Sequence, residues 1–242
     1  MHPRSVTMAC LVAAMIPCVA AAQSPATVAP FSTAKPGKTV APWESVKINE
    51  RKKLTVYDLV DDGGTTVLHA NADNAASMLG MPLNIDVRKT PVLEWRWKVS
   101  GLVEGADNAV AAKEDSPARV VFEFDGDRSK LGFGDRAAAS LAGQLSGREL
   151  PYATLMYVWS SSAPVGTVIP NPHTKRVQMI VVSSGPAGVG KWQTLKRNVA
   201  EDYKRAFNEE PGLLKGICVL TDTDNTGTKV EAWYGDLKLA AP

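Results

Sequence analysis

One eight-residue stretch limits the fold more than any other part of the chain. Val92–Val99, VLEWRWKV, alternates charged residues with four apolar ones: Leu93, Trp95, Trp97 and Val99. Such alternation is typical of a β-strand with one face in the core and the other facing outward. Because large indoles need a packed layer against them, the sequence predicts a mainly β protein with Trp95 and Trp97 in its core.

Further segments with strand character follow at short intervals, separated by turns rich in Gly, Pro, Asp and Asn. They are residues 54–59, 65–70, 78–85, 119–124, 155–160, 177–182, 192–197, 217–220 and 229–239. The run 177–182 is nearly all apolar, as expected for a strand buried on both faces. This pattern predicts an antiparallel β-sandwich that is jelly-roll-like.

Residues 198–208 are predicted to form one short helix docked on the sandwich. Asn198 is suited to cap this helix, and Glu201 completes a capping-box-like pair. Three large side chains recur at helical spacing and would face the sheet: Val199, Tyr203 and Phe207. The Ala-rich stretch 135–146 is a second helical candidate.

The N-terminus predicts export from the cell. Residues 8–22 are almost all apolar or small, and Ala20, Ala21 and Ala22 form an A-x-A cleavage site. This apolar run is too short to span a bilayer, which takes about 20 residues. We expect a signal peptide over 1–22, a flexible linker over 23–42 and a single β-sandwich domain over 43–242. The mature protein would be periplasmic or secreted.

Charge and cysteine content exclude several classes of protein. The formal net charge of +2 is too balanced for a nucleic-acid partner, and no later stretch is apolar enough for a transmembrane segment. Cys218 is the one cysteine beyond the predicted signal peptide, so no internal disulfide is expected. Its apolar neighbours predict a buried side chain. Zinc-ligand spacing, a phosphate-binding Gly loop and a G-x-S-x-G motif are all missing from the sequence.

Five stretches taken together resemble a known bacterial family. They are LEWRWKV at 93–99, SPARVVFEFDG at 116–126, LMYVWSS at 155–161, WQTLKRNVAEDYKRAF at 192–207 and TDTDNTGT at 221–228. In this order they resemble the domain-of-unknown-function family 3047 over most of residues 43–239. The resemblance implies an exported β-sandwich protein. It implies no activity, because none is established for the family.

The turn DTDNTG at 222–227 holds the densest group of oxygen ligands. Asp222, Asp224 and Asn225 have the spacing of the first half of a calcium loop. An EF-hand is excluded because Trp233 occupies the twelfth position, where a bidentate Glu is required. A looser Ca²⁺ site through these three residues is an alternative to a turn held by its own backbone, and no other cofactor is expected. We expect turn amides to offset the clustered charge first, a basic side chain second and a cation third.

Other candidate ligand-binding residues are two indoles and two arginines. Trp159 and Trp233 suit either the core or a platform for a sugar ring. Arg96 and Arg197 suit either a structural ion pair or a bidentate clamp on an acidic sugar or organic acid. His173 is predicted to be a surface loop residue.

Three functions fit these features. The first is a non-catalytic binding module for a saccharide or similar small polar ligand. The second is a glycan-active hydrolase or lyase; a hydrolase needs two carboxylates roughly 5–10 Å apart, from the turns at Asp125 and Asp222. The third is a structural protein of the cell envelope. Convergence of the two turns on one surface would favour the first two functions, and separation would favour the third. The oligomeric state is left open.

Overall fold

The computed structural model describes residues 26–39, 41–146, 150–172 and 174–241. The predicted signal peptide, 1–22, and His173 lie outside these residues. The described strands are β1 (Ala26–Ala29), β2 (Gly37–Lys38), β3 (Glu44–Lys47), β4 (Val56–Asp61), β5 (Thr66–Asp73), β6 (Ala76–Ile85), β7 (Val92–Val99), β8 (Ser116–Phe124), β9 (Ala153–Ser160), β10 (Val168–Pro170), β11 (Val177–Ser184), β12 (Gln193–Asn198), β13 (Leu214–Asp222), β14 (Lys229–Tyr234) and β15 (Leu237–Ala240). The described α-helices are α1 (Phe133–Ser146) and α2 (Val199–Phe207).

These strands build two sheets packed face to face. The first sheet has the order β1-β15-β7-β14-β5-β4-β2, with β12 also paired to β7. The second sheet has the order β10-β11-β9-β8-β13-β6-β3. Among the pairs in the described residues, β9 and β11 are parallel and the others are antiparallel. The predicted β-sandwich is confirmed.

The indoles of β7 join the two sheets. Trp95 is 2% exposed and Trp97 is 0% exposed. Trp95 stacks on Tyr157 of the second sheet with 5.3 Å between ring centroids, and the ring of Trp97 is tilted against that of Trp159 with 6.2 Å between centroids. The alternation in β7 therefore predicted its inward face correctly, and the assignment of Trp95 and Trp97 to the core is confirmed.

The second sheet is buried on both faces near its centre. Ile180 and Val182 of β11 face the main core, whereas Met179 and Val181 belong to a separate apolar cluster. Cys218 of β13 is buried in a further cluster of this kind, as predicted. Burial on both faces explains why β11 and β13 are apolar at nearly every position instead of alternating.

Helix α2 is capped and docked as predicted. The Asn198 side-chain oxygen accepts a hydrogen bond from the backbone N–H of Glu201 at 3.1 Å. Tyr203 is fully buried, with ring centroids 4.7 Å from Phe124 and 4.5 Å from Phe207. No described helix has the length and apolar character needed to cross a membrane.

The N-terminal segment differs from the flexible linker predicted over 23–42. Ala26–Ala29 forms β1, which pairs antiparallel with β15. The next turn buries Phe31, whose ring lies 5.1 Å from that of Trp43. Pairing satisfies backbone groups that the edge of β15 would otherwise leave open. The composition of the segment did not reveal this, because its partner strand lies at the other end of the chain.

Candidate functional site

The acidic turn after β13 begins in a buried ion network. Asp222, the last residue of β13, is 5% exposed. Its Oδ1 accepts a hydrogen bond from the Ser116 N–H at 3.0 Å, and its Oδ2 lies 3.3 Å from Nη2 of Arg119. Arg119 is 2% exposed and its Nη1 lies 3.6 Å from Glu114. Asp222 is therefore buried and ion-paired within the fold.

Asp115, which the sequence pattern did not single out, completes the acidic cluster. Its carboxylate accepts hydrogen bonds from the backbone N–H groups of Asn225 at 3.2 Å and Thr226 at 2.7 Å. One carboxylate oxygen from each of Asp115, Asp222 and Asp224 lies within 4.8 Å of the others. The Asn225 side-chain amide instead donates to a backbone carbonyl at 3.0 Å. The close carboxylates thus include Asp115 beside the predicted Asp222 and Asp224, and the Asn225 amide is bonded to the backbone.

Two bases and the turn amides offset this clustered charge. Lys52 pairs with Asp224, Arg119 pairs with Asp222, and the turn amides serve Asp115. Burial raises the pKa of Asp222 to about 7; Arg119 opposes the rise, and the charges of Asp115 and Glu114 add to it. Turn amides and basic side chains were the first and second groups expected to offset the negative charge of the cluster, and both contact its carboxylates.

The fit of Ca²⁺ to this cluster is poor. Ca²⁺ takes about 6–8 oxygen ligands, and two of the three carboxylates already have a cationic partner. One observation points the other way: Oδ1 of Asp224 is buried with no hydrogen-bond partner within the described part of the chain. On balance the geometry is that of a structural ion network.

Asp125 lies at the far end of the same strand pair. Ser116 pairs with Asp222 at one end of β8 and β13, and Phe124 pairs with Leu214 at the other. The eight-residue separation between Leu214 and Asp222 corresponds to roughly 26 Å along a strand. A hydrolase pair needs roughly 5–10 Å, so these two turns cannot supply one, and the predicted convergence is absent.

Trp159 and Arg197 have structural roles that remove them from the ligand-binding candidates. Trp159 is fully buried, and its Nε1 donates a hydrogen bond to the Gly185 carbonyl at 3.1 Å. Arg197 Nε donates to Oδ2 of Asp202 at 2.8 Å, and the Tyr157 hydroxyl donates to the same oxygen at 2.7 Å. Of its two predicted roles, Arg197 therefore has the structural ion pair.

Arg96 and Trp233 come together on the outer face of the first sheet. Nζ of Lys98 lies 4.6 Å from the ring centroid of Trp233 and 5.2 Å from that of Trp192. The guanidinium carbon of Arg96 lies 4.4 Å from the Trp192 centroid, and His69 stacks on Trp233 at 5.0 Å. We call these five residues the cation–indole face. Because basic side chains already contact both rings, the indoles support cations and are not bare platforms for sugars.

Asp62 fixes the cation–indole face in place. One of its carboxylate oxygens accepts from Lys98 at 2.8 Å and the other from Nε1 of Trp192 at 2.7 Å. The hydrogen bond from Lys98 lowers the pKa of Asp62. Sequence reasoning missed Asp62, Lys98 and Trp192 as site residues. The alternation in β7, which places Arg96 and Lys98 on one face, was the signal that could have found Lys98.

A cleft of about 290 Å³ opens beside Arg96. Gly235 and Asp236 separate β14 from β15, and the cleft lies at this break. β14 pairs with β5, and β15 pairs with β1. The lining of the cleft includes hydroxyl, acidic and basic side chains: Ser32, Thr65, Glu94, Arg96, Asp236 and Lys238. Gly235 makes room for Arg96, since a Cβ at this position would lie 2.6 Å from Cγ of the arginine.

Comparison with known proteins identifies the family of this chain. The model of the family described as "Protein of unknown function (DUF3047)" matches residues 41–238. The chain therefore belongs to this family, and the predicted resemblance is confirmed. No curated protein matches the chain.

Several solved structures show distant similarity. Endoglucanase cel12A from Rhodothermus marinus is 11% identical over 83% of this chain and 100% of that chain, with a TM-score of 0.43. The xyloglucanase domain of NopAA, a type three effector from Sinorhizobium fredii, in complex with cellobiose, is 7% identical over 85% of this chain and 100% of that chain, with a TM-score of 0.41. The glycoside hydrolase domain of Endo-D from Streptococcus pneumoniae is 9% identical over 82% of this chain, with a TM-score of 0.31, and the match spans 21% of that chain. At such low identity and TM-score, these similarities assign neither an activity nor a substrate to this protein.

Proposed function

We propose that this protein is an exported, non-catalytic binding module for a saccharide or similar small polar ligand, which it holds in the cleft beside Arg96. The observation that carries the proposal is the cleft itself, where hydroxyl groups and Arg96 line one concavity. Small-molecule sites combine a concave surface with a few fixed polar groups and have volumes of about 300–1,000 Å³. The cleft, at about 290 Å³, is just smaller than that range, which favours a ligand the size of one or a few sugar units.

The separation of the Asp125 and Asp222 turns bears on the choice between a binding module and a structural protein of the envelope. It removes the pocket predicted between them, and taken alone it favours a structural role in the envelope. The cleft of the first sheet provides a different concave polar surface, and no residue of either turn lines it. Support for a binding function therefore rests on the cleft and not on the acidic turn.

Two carboxylates line the cleft, and both already have partners. Glu94 lies 2.7 Å from Nζ of Lys196. Asp236 accepts hydrogen bonds from the Ser32 N–H at 2.9 Å and from its hydroxyl at 2.7 Å. A hydrolase needs one carboxyl group as acid and another as nucleophile or base. Carboxylates engaged in this way favour binding over hydrolysis.

A thermal-shift screen of the mature protein against mono- and oligosaccharides tests the proposal, because a ligand that binds the native state raises the melting temperature. We expect at least one saccharide to raise the melting temperature. We expect no increase in the number of reducing ends during incubation, because the protein binds the saccharide without cleaving it. Thr194→Trp, which places an indole in the cleft lining, should abolish the shift. Val56→Trp is the matched control, since Val56 is 51% exposed on β4 and does not line the cleft.

Three results would contradict the proposal. No shift with any saccharide would refute saccharide binding, and an unchanged shift in Thr194→Trp would refute the location. Release of reducing ends would show an enzyme. Export is tested separately by mass spectrometry of the mature N-terminus, which should begin at or near Gln23. A cytoplasmic protein that keeps Met1 would contradict export.

A further inference from the structure

We infer that the ligand of the cleft is an acidic saccharide whose carboxylate binds the guanidinium of Arg96. This inference rests on the proposed function and names the class of ligand. It depends on which charged groups around the cleft already have partners and which do not.

Charged side chains of both signs line the cleft, but only the acidic ones are engaged. Glu94 pairs with Lys196, and both oxygens of Asp236 accept hydrogen bonds from Ser32. Arg96 and Lys238 have no hydrogen bond or ion pair from their side chains to any residue that the structure describes. Arg96 acts on Asp62 through its charge alone and helps to lower the pKa of that carboxyl group, whose two oxygens already accept hydrogen bonds from Lys98 and Trp192. The charged side chains of the cleft that lack an ion-pair partner are therefore the positive ones.

Arg96 is unusual among the arginines of this protein. Within the described residues, the other arginines that are buried or half-buried each contact a carboxylate: Arg119 with Asp222, Arg176 with Glu209, and Arg197 with Asp202. Arg96 is half-buried and instead lies on the ring of Trp192. A partly desolvated guanidinium gains most from an anion that restores its hydrogen bonds.

The position of Arg96 is fixed before any ligand binds. Trp192 supports the guanidinium from one side, and Asp62 holds the Trp192 indole through Nε1. Gly235 lets the stem of the arginine pack closely, because any Cβ there would collide with Cγ. A side chain held in its bound conformation loses less entropy on binding, which increases affinity.

The chemistry of these groups favours a carboxylate next to hydroxyls. A guanidinium presents five N–H donors in a planar fork that matches a carboxylate in bidentate fashion. The hydroxyls of Thr65 and Thr194 line the same cleft and suit the hydroxyl groups of a sugar ring. A uronic acid combines these two features in one molecule.

Nitrogen-15 NMR of the mature protein tests the inference with three probes of equal ring size: galacturonate, its methyl ester and galactose. The signals to follow are the Arg96 Nε–H and the Trp192 Nε1–H, at about 0.15 M salt so that long-range attraction is screened. We expect galacturonate to shift both signals saturably. The methyl ester and galactose should bind at least about tenfold more weakly, because the charge-assisted bidentate pair is lost.

Two variants separate a specific clamp from general attraction. Arg96→Gln should weaken galacturonate binding about tenfold or more, to the level of the methyl ester. Arg51→Gln removes one positive charge from an exposed position outside the cleft and should leave binding unchanged. The indole N–H signals of Arg96→Gln report whether the fold is intact.

Each outcome decides the matter. Equal affinity for galacturonate and its ester, or wild-type affinity in Arg96→Gln, overturns the acidic-ligand inference and leaves the binding function standing. Saturable shifts with galactose alone would also overturn the acidic-ligand inference and leave the binding function standing. If none of the three sugars shifts a cleft signal, the inference is overturned, and the broader saccharide screen decides the binding function on its own.

Discussion

Arg119 and Arg96 lie on central strands of the two sheets and have opposite surroundings. Both alternate with core residues, Arg119 on β8 and Arg96 on β7. Arg119 is almost fully buried between Glu114 and Asp222. Arg96 is half-buried, lies on an indole and faces a cleft, and no carboxylate in the described part of the chain is hydrogen-bonded or ion-paired to it. The fold thus pairs the guanidinium of Arg119 with its own carboxylates, whereas the guanidinium of Arg96 has no such pair and is the group to which we assign the proposed ligand.

The largest expected effect comes from breaking the buried network. Arg119→Met leaves Asp222 and Glu114 without their shared partner in a buried setting. Removing one member of a buried ion pair costs about 3–5 kcal/mol, so the free energy of unfolding in urea should fall by that amount. Arg51→Met, at an exposed position, should change it by less than about 0.5 kcal/mol. A loss below about 1 kcal/mol in Arg119→Met would contradict a structural role for the network.

The free energy of unfolding should depend on pH through the protonation of Asp222, which gives a second test of the same network. Burial raises its pKa to about 7, against about 3.9 in an unfolded chain. Between these values the folded protein holds a proton that the unfolded chain has lost, so this group contributes less stability as the pH rises from about 4 to about 7. Asp222→Asn cannot titrate. The free energy of unfolding of the wild type minus that of the variant should therefore fall by about 2 kcal/mol between pH 5 and pH 7.

The opposite sign in that measurement would be equally informative. If the difference between the wild type and Asp222→Asn rises with pH, then the attraction of Arg119 exceeds the cost of burial. The pKa of Asp222 would then lie below its ordinary value. Urea titrations of both proteins at the two pH values distinguish the cases.

A much smaller effect is expected at the cleft. Arg96→Gln removes a cation from the ring of Trp192 but breaks no ion pair in the described residues. Loss of such a contact costs at most about 1 kcal/mol at a partly exposed site. Urea unfolding should therefore show a change several times smaller than in Arg119→Met. A loss of about 3 kcal/mol or more would place Arg96 with the structural arginines and break the comparison.

The smallest expected effect is that of a chelator. Lys52 and Arg119 already supply positive charge to the carboxylates of Asp224 and Asp222. We therefore expect EDTA to leave the melting temperature of the wild type unchanged, because no bound metal is needed to offset the cluster. A fall in the wild type that is absent from Asp224→Asn would show a bound cation and overturn this view.

Local patterns predicted local features of the fold well. The period-two alternation of Val92–Val99 identified the inward indoles, and the apolar run 177–182 identified a strand buried on both faces. Asn198 was identified as a helix cap from its type and from the residue three positions later. Each of these features depends on neighbours within a few residues, which is the range that sequence patterns report.

The candidate site could not be predicted in the same way, because it depends on which strands pair. Asp115 joins the acidic turn only because β8 lies beside β13, more than one hundred residues later. Arg96 lies on Trp192 only because β12, which follows Trp192, pairs with β7, whereas the partner of Arg197 is Asp202, five residues later in the chain. The pairing of β1 with β15 was invisible for the same reason.

The hydrogen bonds from Ser32 to Asp236 join residues 204 positions apart. They form one wall of the cleft, so the site combines the first and last segments of the described fold. Ribosomes add residues from the amino end, so a nascent chain has no complete cleft until β15 has been synthesised. Fragments that end before Asp236, or begin after Ser32, lack one wall of the cleft.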